Sequence, residues 1–334
     1  MASKIAVNAR FQHRRVSGVE RYAQEISKRI NPRPRMIAPN KQLSQINGHL
    51  WEQFVLPFHL QKNEILWSPA NTGAWFVRRQ AVTIHDASVF DNPGWFRPAF
   101  AAWTRLSWKI LSKRVKSIIT VSQFSRERLI HHLGVPIQKI KVIPNGVGKP
   151  FEPQSQKKID LVGRKYKLDK PYFLFVGTIE PRKNLATLIQ AWESLNSKTH
   201  TLFISGAEGN IFAPVTNHVN SVTYIPDDDL PALYSGATAV IVPSFYEGFG
   251  LTTLEAMACG APVIASNTTS FPETAGDAAI LINPKSVEEI KNAVLQIIEN
   301  PQLANNLRER GFKRAAQFTW EESARKTQLL LESL

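Results

Sequence analysis

Two glutamates lie on either side of a glycine-bearing stretch, in Glu247-Gly-Phe-Gly-Leu-Thr-Thr-Leu-Glu255. The apolar run at 239–242 predicts a buried strand before this stretch, and the pattern after it predicts a helix that begins near Gly250. The free N–H groups at a helix start attract anions, and Gly248 and Gly250 let the backbone approach a ligand closely. A carboxylate accepts hydrogen bonds from sugar or ribose hydroxyls. The segment therefore predicts a site for a sugar carried on a nucleotide phosphate.

The alternative interpretation is that Glu247 is an ordinary loop residue and Glu255 an ordinary helix residue. The predicted helix is largely apolar, however, since it contains Met257, Ala258 and Cys259. A carboxylate buried in such a helix needs a polar partner, which favours a binding role for Glu255.

A pair of cations follows another predicted strand, in Phe175-Val-Gly-Thr-Ile-Glu-Pro-Arg-Lys-Asn-Leu. Gly177 permits a tight turn after the strand, and Arg182 and Lys183 come at the start of the next helix. Their charges suit a diphosphate, because charge-assisted hydrogen bonds to phosphate are short and strong. Without the glutamate segment, an exposed Arg-Lys pair at a helix end is an equally good interpretation.

Polar residues also end a predicted strand in the first half of the chain, at Thr83-Ile-His85-Asp86. The carboxyl ends of parallel strands form the ligand crevice of open α/β sheets. Farther upstream, Ser17-Gly18 opens a helix after the basic loop Arg10 to Arg15. Neither feature is specific alone, since a single histidine is more often structural and one glycine before a helix says little.

Several segments, in order, resemble the family 4 retaining glycosyltransferases. The spacing of Glu247 and Glu255 resembles that family's E-x7-E motif, and 175–185 resembles its segment of diphosphate-binding cations. Val121-Ser-Gln-Phe-Ser and Val142-Ile-Pro-Asn-Gly-Val resemble signatures of its first domain, and Trp320-Glu-Glu-Ser-Ala resembles its last helix. The resemblance covers nearly the whole chain. It implies the GT-B fold, an α/β architecture of two facing Rossmann-like doubly wound domains followed by a C-terminal helix.

The resemblance also implies roles for particular residues. Those expected to be catalytic are His85, Arg182, Lys183 and Glu247. Those expected to bind the donor are Gly18, Gly177, Thr178, Ile225, Gly248, Phe249, Gly250, Leu251, Thr252 and Glu255. Those expected to meet the acceptor are Arg10 and Asp86. Thr178 stands where the family often has an arginine, so one expected cation is missing.

The activity implied is retaining transfer of a hexose from a nucleotide-diphosphate sugar to a saccharide or lipid-linked saccharide, without a metal or other cofactor. We expect UDP-glucose as the donor, with GDP-mannose as the alternative. A nucleotide-sugar epimerase of the same architecture would need no acceptor. An NAD-linked enzyme is disfavoured because no G-x-G-x-x-G follows a strand. Asp227-Asp-Asp229 resembles a D-x-D metal site, but acidic residues before Leu230 are better explained as the start of a helix.

The charge of the chain is unevenly distributed. The 334 residues carry a net charge of +14. Residues 1–150 hold 24 Lys and Arg against 7 Asp and Glu, whereas residues 151–334 are close to neutral. The positive charge of the first half therefore either binds an anionic partner or serves only to keep the protein soluble. Because no nucleic-acid-binding module is present, we expect a phosphate-bearing acceptor or an anionic membrane rather than nucleic acid.

A basic, aromatic helix at 97–116 is the candidate for membrane contact. Its cations recur every four residues beside an apolar stripe, with Arg105, Lys109 and Lys113 next to Trp103, Leu106 and Ile110. Such a helix either lies on an anionic bilayer or packs on the sheet. The single cysteine, Cys259, and the absence of a signal-like or membrane-spanning apolar run favour a cytoplasmic protein, peripheral on the inner face of the membrane if it binds lipid.

Alternating strand and helix patterns predict two parallel-sheet domains. Strands are expected near 5–7, 36–38, 65–67, 81–84, 117–121, 140–143, 172–176, 201–205, 222–225, 238–242, 262–265 and 279–282. The domains are predicted at 1–155 for the acceptor and 156–317 for the nucleotide sugar, with a linker in the polar stretch 151–170. The helix at 318–334, with Thr319 and Glu322 as a capping box, is expected to pad the second domain or cross to the first.

Overall fold

A computed structural model describes residues 5–14, 16–206 and 225–334 of the chain. The chain forms two compact units. The first comprises residues up to Pro93, Pro98–Gly146 and Thr319–Leu334, and the second comprises Gly94–Arg97 and Val147–Phe318. The division after Gly146 comes nine residues before the predicted boundary at 155. The last helix belongs to the first unit.

The first unit contains a six-stranded parallel sheet in the order β2-β1-β3-β4-β5-β6. Its strands are β1 Ile5–Asn8, β2 Arg35–Ile37, β3 Ile65–Ser68, β4 Gln80–Thr83, β5 Ser117–Thr120 and β6 Ile140–Val142. Its helices are α1 Gly18–Arg29, α2 Gln45–Phe54, α3 Ser88–Asp91, α4 Pro98–Arg114, α5 Gln123–Leu133 and the last helix of the chain, α13 Trp320–Glu332. The central strands are buried along their whole length, as expected for a sheet covered on both faces.

The second unit contains a five-stranded parallel sheet in the order β11-β10-β9-β7-β8. Its strands are β7 Tyr172–Val176, β8 Thr201–Ser205, β9 Ala239–Val242, β10 Val263–Ser266 and β11 Ile280–Ile282. Its helices are α6 Gln156–Lys165, α7 Leu185–Leu195, α8 Leu230–Gly236, α9 Leu251–Ala258, α10 Phe271–Ala275, α11 Val287–Glu299 and α12 Pro301–Ala315. The strand expected at 222–225 falls, up to Tyr224, outside the described residues.

The stretch predicted as a linker, 151–170, is not an extended linker, because α6 occupies half of it. The polar composition concealed an amphipathic helix, in which Val162 is buried while the lysines face solvent. Ser155 stands at the N-cap position of α6. The few apolar residues of α6 are enough for the helix to pack, although its overall composition is as polar as that of a loop.

Helix α13 packs against α1 of the first unit. Trp320 is buried with its ring 6.4 Å from that of Tyr22, and Glu321 accepts a hydrogen bond of 2.8 Å from Arg29. Thr319 accepts a hydrogen bond from the Glu322 N–H group, which is half of the predicted capping box. The Glu322 carboxylate pairs instead with Arg325.

Gly146 lies against the start of α13. A Cβ at this position would come within 2.1 Å of the Trp320 nitrogen and 2.4 Å of the Thr319 carbonyl carbon. These are backbone atoms, which a side-chain rotation cannot move. The glycine is therefore required for the last helix to dock.

Candidate functional site

The centre of the candidate site in the second unit is an ion cluster between two loops. The Glu247 carboxylate accepts a hydrogen bond of 2.6 Å from Lys183 Nζ through Oε1 and one of 3.0 Å from Arg182 Nη1 through Oε2. All three side chains are largely buried, with relative exposures of 12 to 14%. The structure therefore brings together three of the four residues that the resemblance marks as catalytic.

The two loops meet because β7 and β9 are neighbours in a parallel sheet, so that their carboxyl ends lie at the same edge. Lys183 and Arg182 belong to a short 3₁₀ turn, Pro181–Lys183, after β7, and Glu247 belongs to the loop after β9. The backbone N–H of Phe245 donates to the Arg182 carbonyl at 2.9 Å. The loops are thus joined through their main chains as well as through their charges.

Asn184 fixes the cation-bearing turn to the sheet. Its side-chain amide donates to the carbonyls of Pro243 at 3.0 Å and Pro284 at 2.6 Å, which follow β9 and β11. Its Oδ1 accepts a hydrogen bond from Thr187, and its backbone is left-handed with φ of 58°. Asparagine tolerates this conformation better than most residues. It follows that Asn184 positions Arg182 and Lys183 from the residue immediately after them.

Glu180 is a further member of the cluster that sequence reasoning missed. Its Oε1 accepts a hydrogen bond of 2.7 Å from Arg182 Nη2, and its Oε2 has no hydrogen-bond partner in the described part of the chain. Burial raises the pKa of the Glu180 carboxyl, although the Arg182 charge opposes this effect. Arg182 is thus held between two carboxylates. The only sequence signal was an acidic residue two positions before a cation.

The charges of the cluster determine the ionisation of Glu247. Burial alone would raise the pKa of this carboxyl, but the charges of Lys183 and Arg182 outweigh burial and lower it to about 2. Glu247 is consequently ionised throughout the neutral range. An anionic ligand that approaches the two cations meets a carboxylate that already binds both.

The loop that carries Glu247 is braced by the segment after β10. Ser270 Oγ donates to the Glu247 carbonyl at 2.9 Å, and the Glu247 N–H donates to Thr269 Oγ1 at 3.2 Å. Thr274 Oγ1 donates to the Phe249 carbonyl at 2.5 Å. The loop backbone is therefore fixed on both sides of Gly248.

Helix α9 begins directly after Gly250, as the sequence predicts. Gly250 has φ of 86°, and a Cβ there would press on the Phe271 ring at 3.2 Å. Leu251 and Thr252 form the first turn of α9 and are half-buried. Glu255, one turn later, is 6% exposed and accepts a hydrogen bond of 3.5 Å from the Tyr234 hydroxyl.

The turn after β7 lies close to the end of β8. Gly177 donates its N–H to the Ser205 carbonyl at 3.0 Å, and Thr178 follows it half-buried. A Cβ on Gly206 would lie 2.0 Å from the Gly177 carbonyl oxygen, so that only glycine fits there. Ile225 is predicted to lie beside the nucleotide base. It is the first residue after 206 that the structure describes, and it is buried.

The remaining predicted residues, His85, Asp86, Arg10 and Gly18, belong to the first unit. His85 is buried after β4, and its Nε2 lies 2.9 Å from the Pro69 carbonyl. Since a carbonyl only accepts, Nε2 carries the proton. Burial lowers the pKa of His85. The His85 carbonyl accepts a hydrogen bond of 3.1 Å from Ser125 Oγ.

Asp86 and Gly18 both lie at helix starts. Asp86 Oδ1 accepts hydrogen bonds of 2.8 Å from the Ser88 N–H and 2.5 Å from its hydroxyl, at the beginning of α3. Gly18 is the first residue of α1, whose N-cap Ser17 forms a capping box with Glu20. These contacts are the local structural roles that each residue type favours.

Arg10 forms a buried ion pair rather than an open cationic surface. Its Nη1 donates to Glu52 Oε2 at 2.7 Å, and the two side chains are 7% and 0% exposed. Glu52 also accepts hydrogen bonds from Asn8 at 2.7 Å and Thr72 at 2.5 Å. Burial lowers the pKa of Arg10 to about 10. Glu52 was not anticipated from the sequence, because it is the sole acid of an otherwise uncharged helix.

The D-x-D-like segment is explained by a salt bridge. Asp229 Oδ2 accepts hydrogen bonds of 2.6 Å from Lys165 Nζ and 2.7 Å from the Tyr166 hydroxyl. Asp229 holds the N-cap position of α8, as expected, but its side chain makes no capping hydrogen bond. It binds the end of α6 instead.

Two family models match the chain. Residues 158–314 match the model described as glycosyl transferases group 1. Residues 58–148 match the model described as glycosyltransferase family 4. The first match contains the ion cluster of Arg182, Lys183 and Glu247, and the second contains His85.

Curated relatives are similar over much of the chain. The O-antigen chain mannosyltransferase B of Escherichia coli is 34% identical over 264 residues, which cover 75% of this chain and 69% of that protein. The O-antigen chain mannosyltransferase RfbU of Salmonella typhimurium is 29% identical and matches over 67% of this chain and 62% of its own length.

Solved structures share the fold across the whole chain. HepE from Anabaena, solved in complex with UDP and glucose, has a TM-score of 0.78 at 17% identity and is covered completely, as is this chain. WaaG, a glycosyltransferase involved in lipopolysaccharide biosynthesis, has a TM-score of 0.74 at 15% identity, with 98% of this chain and 99% of WaaG covered. The GT-B architecture follows from these likenesses and from the two parallel sheets. The chain is a member of the group 1, family 4 glycosyltransferases.

Proposed function

We propose that the protein transfers a mannosyl residue from GDP-mannose, with retention of anomeric configuration, to a saccharide or lipid-linked saccharide in polysaccharide synthesis. The observation that carries the transfer chemistry is the binding of Arg182 and Lys183 by one carboxylate, Glu247, beside the start of α9. Mannose is favoured over the glucose expected from the sequence, because the relative that is 34% identical is a mannosyltransferase.

The leaving group of such a reaction is a nucleoside diphosphate. Arg182, Lys183 and the N–H groups at the start of α9 would stabilise its developing charge, and this kind of stabilisation is often the largest catalytic contribution. Glu247 would orient the sugar hydroxyls and Glu255 the ribose. No divalent cation is assigned a role in this scheme, since two protein cations serve the diphosphate.

The bond changes are those of a same-face displacement. The bond between the anomeric carbon and the diphosphate oxygen breaks, and a bond to the acceptor hydroxyl oxygen forms on the same face. The acceptor proton passes to the departing phosphate oxygen. His85, with Nε2 protonated, and Asp86 are proposed to meet the sugar and the acceptor, and Arg10 the acceptor. The protein would act at the cytoplasmic side, where nucleotide sugars are available.

The donor is tested by thermal shift and product analysis with GDP-mannose, UDP-glucose, GDP and UDP. At 100 times its dissociation constant, the true donor should add about 2.7 kcal/mol to the free energy of unfolding. We expect GDP-mannose to give the largest shift and the only transferred sugar. A shift with UDP-glucose alone would restore glucose as the donor, and a change of sugar identity without an acceptor would indicate an epimerase. If no sugar nucleotide shifts the transition, the proposal is wrong.

A further inference from the structure

A row of large apolar side chains faces solvent on the first unit. Ile46, Leu50 and Phe54 lie four residues apart on α2, so they share one side of the helix. They are 74%, 50% and 62% exposed, and Phe58, in the turn that follows α2, is 86% exposed. Single exposed apolar residues are ordinary, but a contiguous set marks an interaction site.

The inward side of α2 is held in place by hydrogen bonds. Glu52 binds Arg10, and Gln53 donates to the Gly73 carbonyl at 3.0 Å. Gln53 Oε1 accepts a hydrogen bond of 2.8 Å from the Trp75 N–H. Trp51 is the large apolar residue of α2 that packs against the core, whereas Ile46, Leu50 and Phe54 face solvent. Because α2 is anchored by these hydrogen bonds, its apolar side faces outward as part of the fold.

The Gln53 hydrogen bonds also place Gly73 and Trp75, and so the start of the segment 75–79, beside α2. Phe76 in this segment is 65% exposed, and Arg78 is exposed. We call Ile46, Leu50, Phe54, Phe58 and Phe76 the α2 surface.

The charge around the α2 surface is positive. Lys41 and Lys62 are exposed at either end of the α2 region. The sole acid between residues 41 and 63 is Glu52, whose side chain is 0% exposed and bound to Arg10. Arg78 adds a third exposed cation. The surface thus combines bulky apolar side chains with cations and shows no exposed carboxylate in this stretch.

We propose that the α2 surface docks on an anionic lipid bilayer, with its apolar side chains at the headgroup level and the cations near the lipid phosphates. Such a bilayer satisfies both features of the surface at once. A second copy of the chain would not, because residues 1–150 carry a charge of +17 and like charges would face each other. This role goes beyond the transfer reaction and does not depend on the identity of the donor.

The surface differs from the one that the sequence suggests. Helix α4, within the predicted basic stretch 97–116, buries Ala101, Trp108 and Leu111 against the first unit. Of its candidate stripe, Leu106 is exposed, whereas Trp103 and Ile110 are half-buried. Helix α4 therefore has a packing role, and α2 presents the larger apolar area.

The test is flotation of the full chain with vesicles of phosphatidylglycerol and phosphatidylethanolamine, compared with phosphatidylcholine vesicles. We expect the wild type to float with the anionic vesicles, and less so at high salt, which screens the attraction. The double variant F54S/F58S should lower the partition coefficient at least about tenfold. Leu161→Ser is the matched control, because Leu161 is 68% exposed on α6 of the second unit. It should float like the wild type.

The proposal is overturned if the wild type does not float with anionic vesicles, or if F54S/F58S floats equally well. Sedimentation velocity without lipid tests the alternative that a second copy of the chain binds the α2 surface. A wild-type dimer that F54S/F58S converts to a monomer would identify an interface between copies. Thermal unfolding establishes that the double variant is folded. Its thermal shift with GDP-mannose should match that of the wild type, so failure of the donor assignment is distinguishable from failure of docking.

Discussion

Glu247 binds both cations of the turn after β7, with Oε1 2.6 Å from Lys183 Nζ and Oε2 3.0 Å from Arg182 Nη1. The carboxylate therefore competes with any diphosphate for the same two partners. A ligand that takes over the cations frees the carboxylate for hydroxyl groups nearby. The contacts of Glu247 with Lys183 and Arg182 therefore link two roles. The two cations neutralise the leaving group, and the carboxylate orients the sugar.

Glu247→Gln should lower kcat at least about 100-fold, an effect of the size seen when one stabilising group is removed from a preorganised site. The amide keeps the shape of the side chain but binds the two cations more weakly than a carboxylate does. The measurement is initial-rate kinetics with the donor found in the panel. Glu288→Gln, an exposed change on α11, is the control and should retain full activity. Near-native turnover of the Glu247 variant would refute its assigned role.

Glu180→Gln should act through Arg182 rather than on the substrate. The variant keeps an oxygen that accepts from Arg182 Nη2 but loses the charge, so we expect the donor KM to rise about tenfold, which corresponds to ~1.4 kcal/mol. The acceptor KM should stay unchanged, and Glu180→Asp should restore part of the donor affinity. An equal rise in the KM of the donor and the KM of the acceptor would show that Glu180 has no positioning role. A loss of folded protein, measured by circular dichroism, would show the same.

The stability contributed by Glu247 should depend on pH. Its pKa is lowered in the folded chain to about 2, so the contribution is fully present above the unfolded-state pKa near 4.5 and is lost as the pH falls towards 2. The free energy of unfolding of the wild type minus that of Glu247→Gln should be largest near pH 6, at roughly 3 kcal/mol. This difference in the free energy of unfolding should decrease steadily below pH 5. Urea titrations between pH 6 and pH 3.5 measure this difference, and a constant difference would contradict the predicted ionisation.

Removal of divalent cations should leave the transfer rate unchanged. Arg182 and Lys183 supply two positive charges at the proposed diphosphate site, where a bound metal would otherwise serve. The rate is measured after dialysis against EDTA and again after Mg²⁺ or Mn²⁺ is restored. A rate that falls with EDTA and recovers with either ion would show that a metal ion binds the diphosphate during transfer.

Gly146→Ala should destabilise the first unit by at least about 2 kcal/mol, because its Cβ would overlap the backbone at the start of α13. Gly163→Ala is the matched control, since a Cβ at Gly163 meets nothing within 4 Å and this residue lies inside α6. The control should be neutral or slightly stabilising, as expected for alanine in a helix. Equal midpoints of urea unfolding for the two variants would show that α13 adapts to the added methyl group.

Much of the candidate site was predictable because it lies where short apolar runs end at glycine or proline. The runs that became β7 and β9 are buried, so the residues after them had to meet at one edge of a parallel sheet. Gly250 and the helix after it were likewise evident, because a left-handed residue before a helix start is a local feature.

Partners distant in sequence were not predictable in the same way. Glu180, Asn184 and Glu52 have local contexts that resemble ordinary loops or helices, and their contacts depend on which strands become neighbours. Helix α6 was missed for a related reason, since its one buried face contributes few apolar residues. The outward apolar side of α2 depends equally on tertiary contacts, because Gln53 and Glu52 determine which side faces inward.

The docking of α13 on α1 has a consequence for the order in which the chain is assembled during synthesis. The hydrogen bond between Arg29 and Glu321 spans 292 positions, and the whole second unit is translated between them. The second unit therefore leaves the ribosome before the first unit has all of its helices. The first unit is therefore completed only when α13 emerges, and until then the side of α1 that packs against α13 stays uncovered.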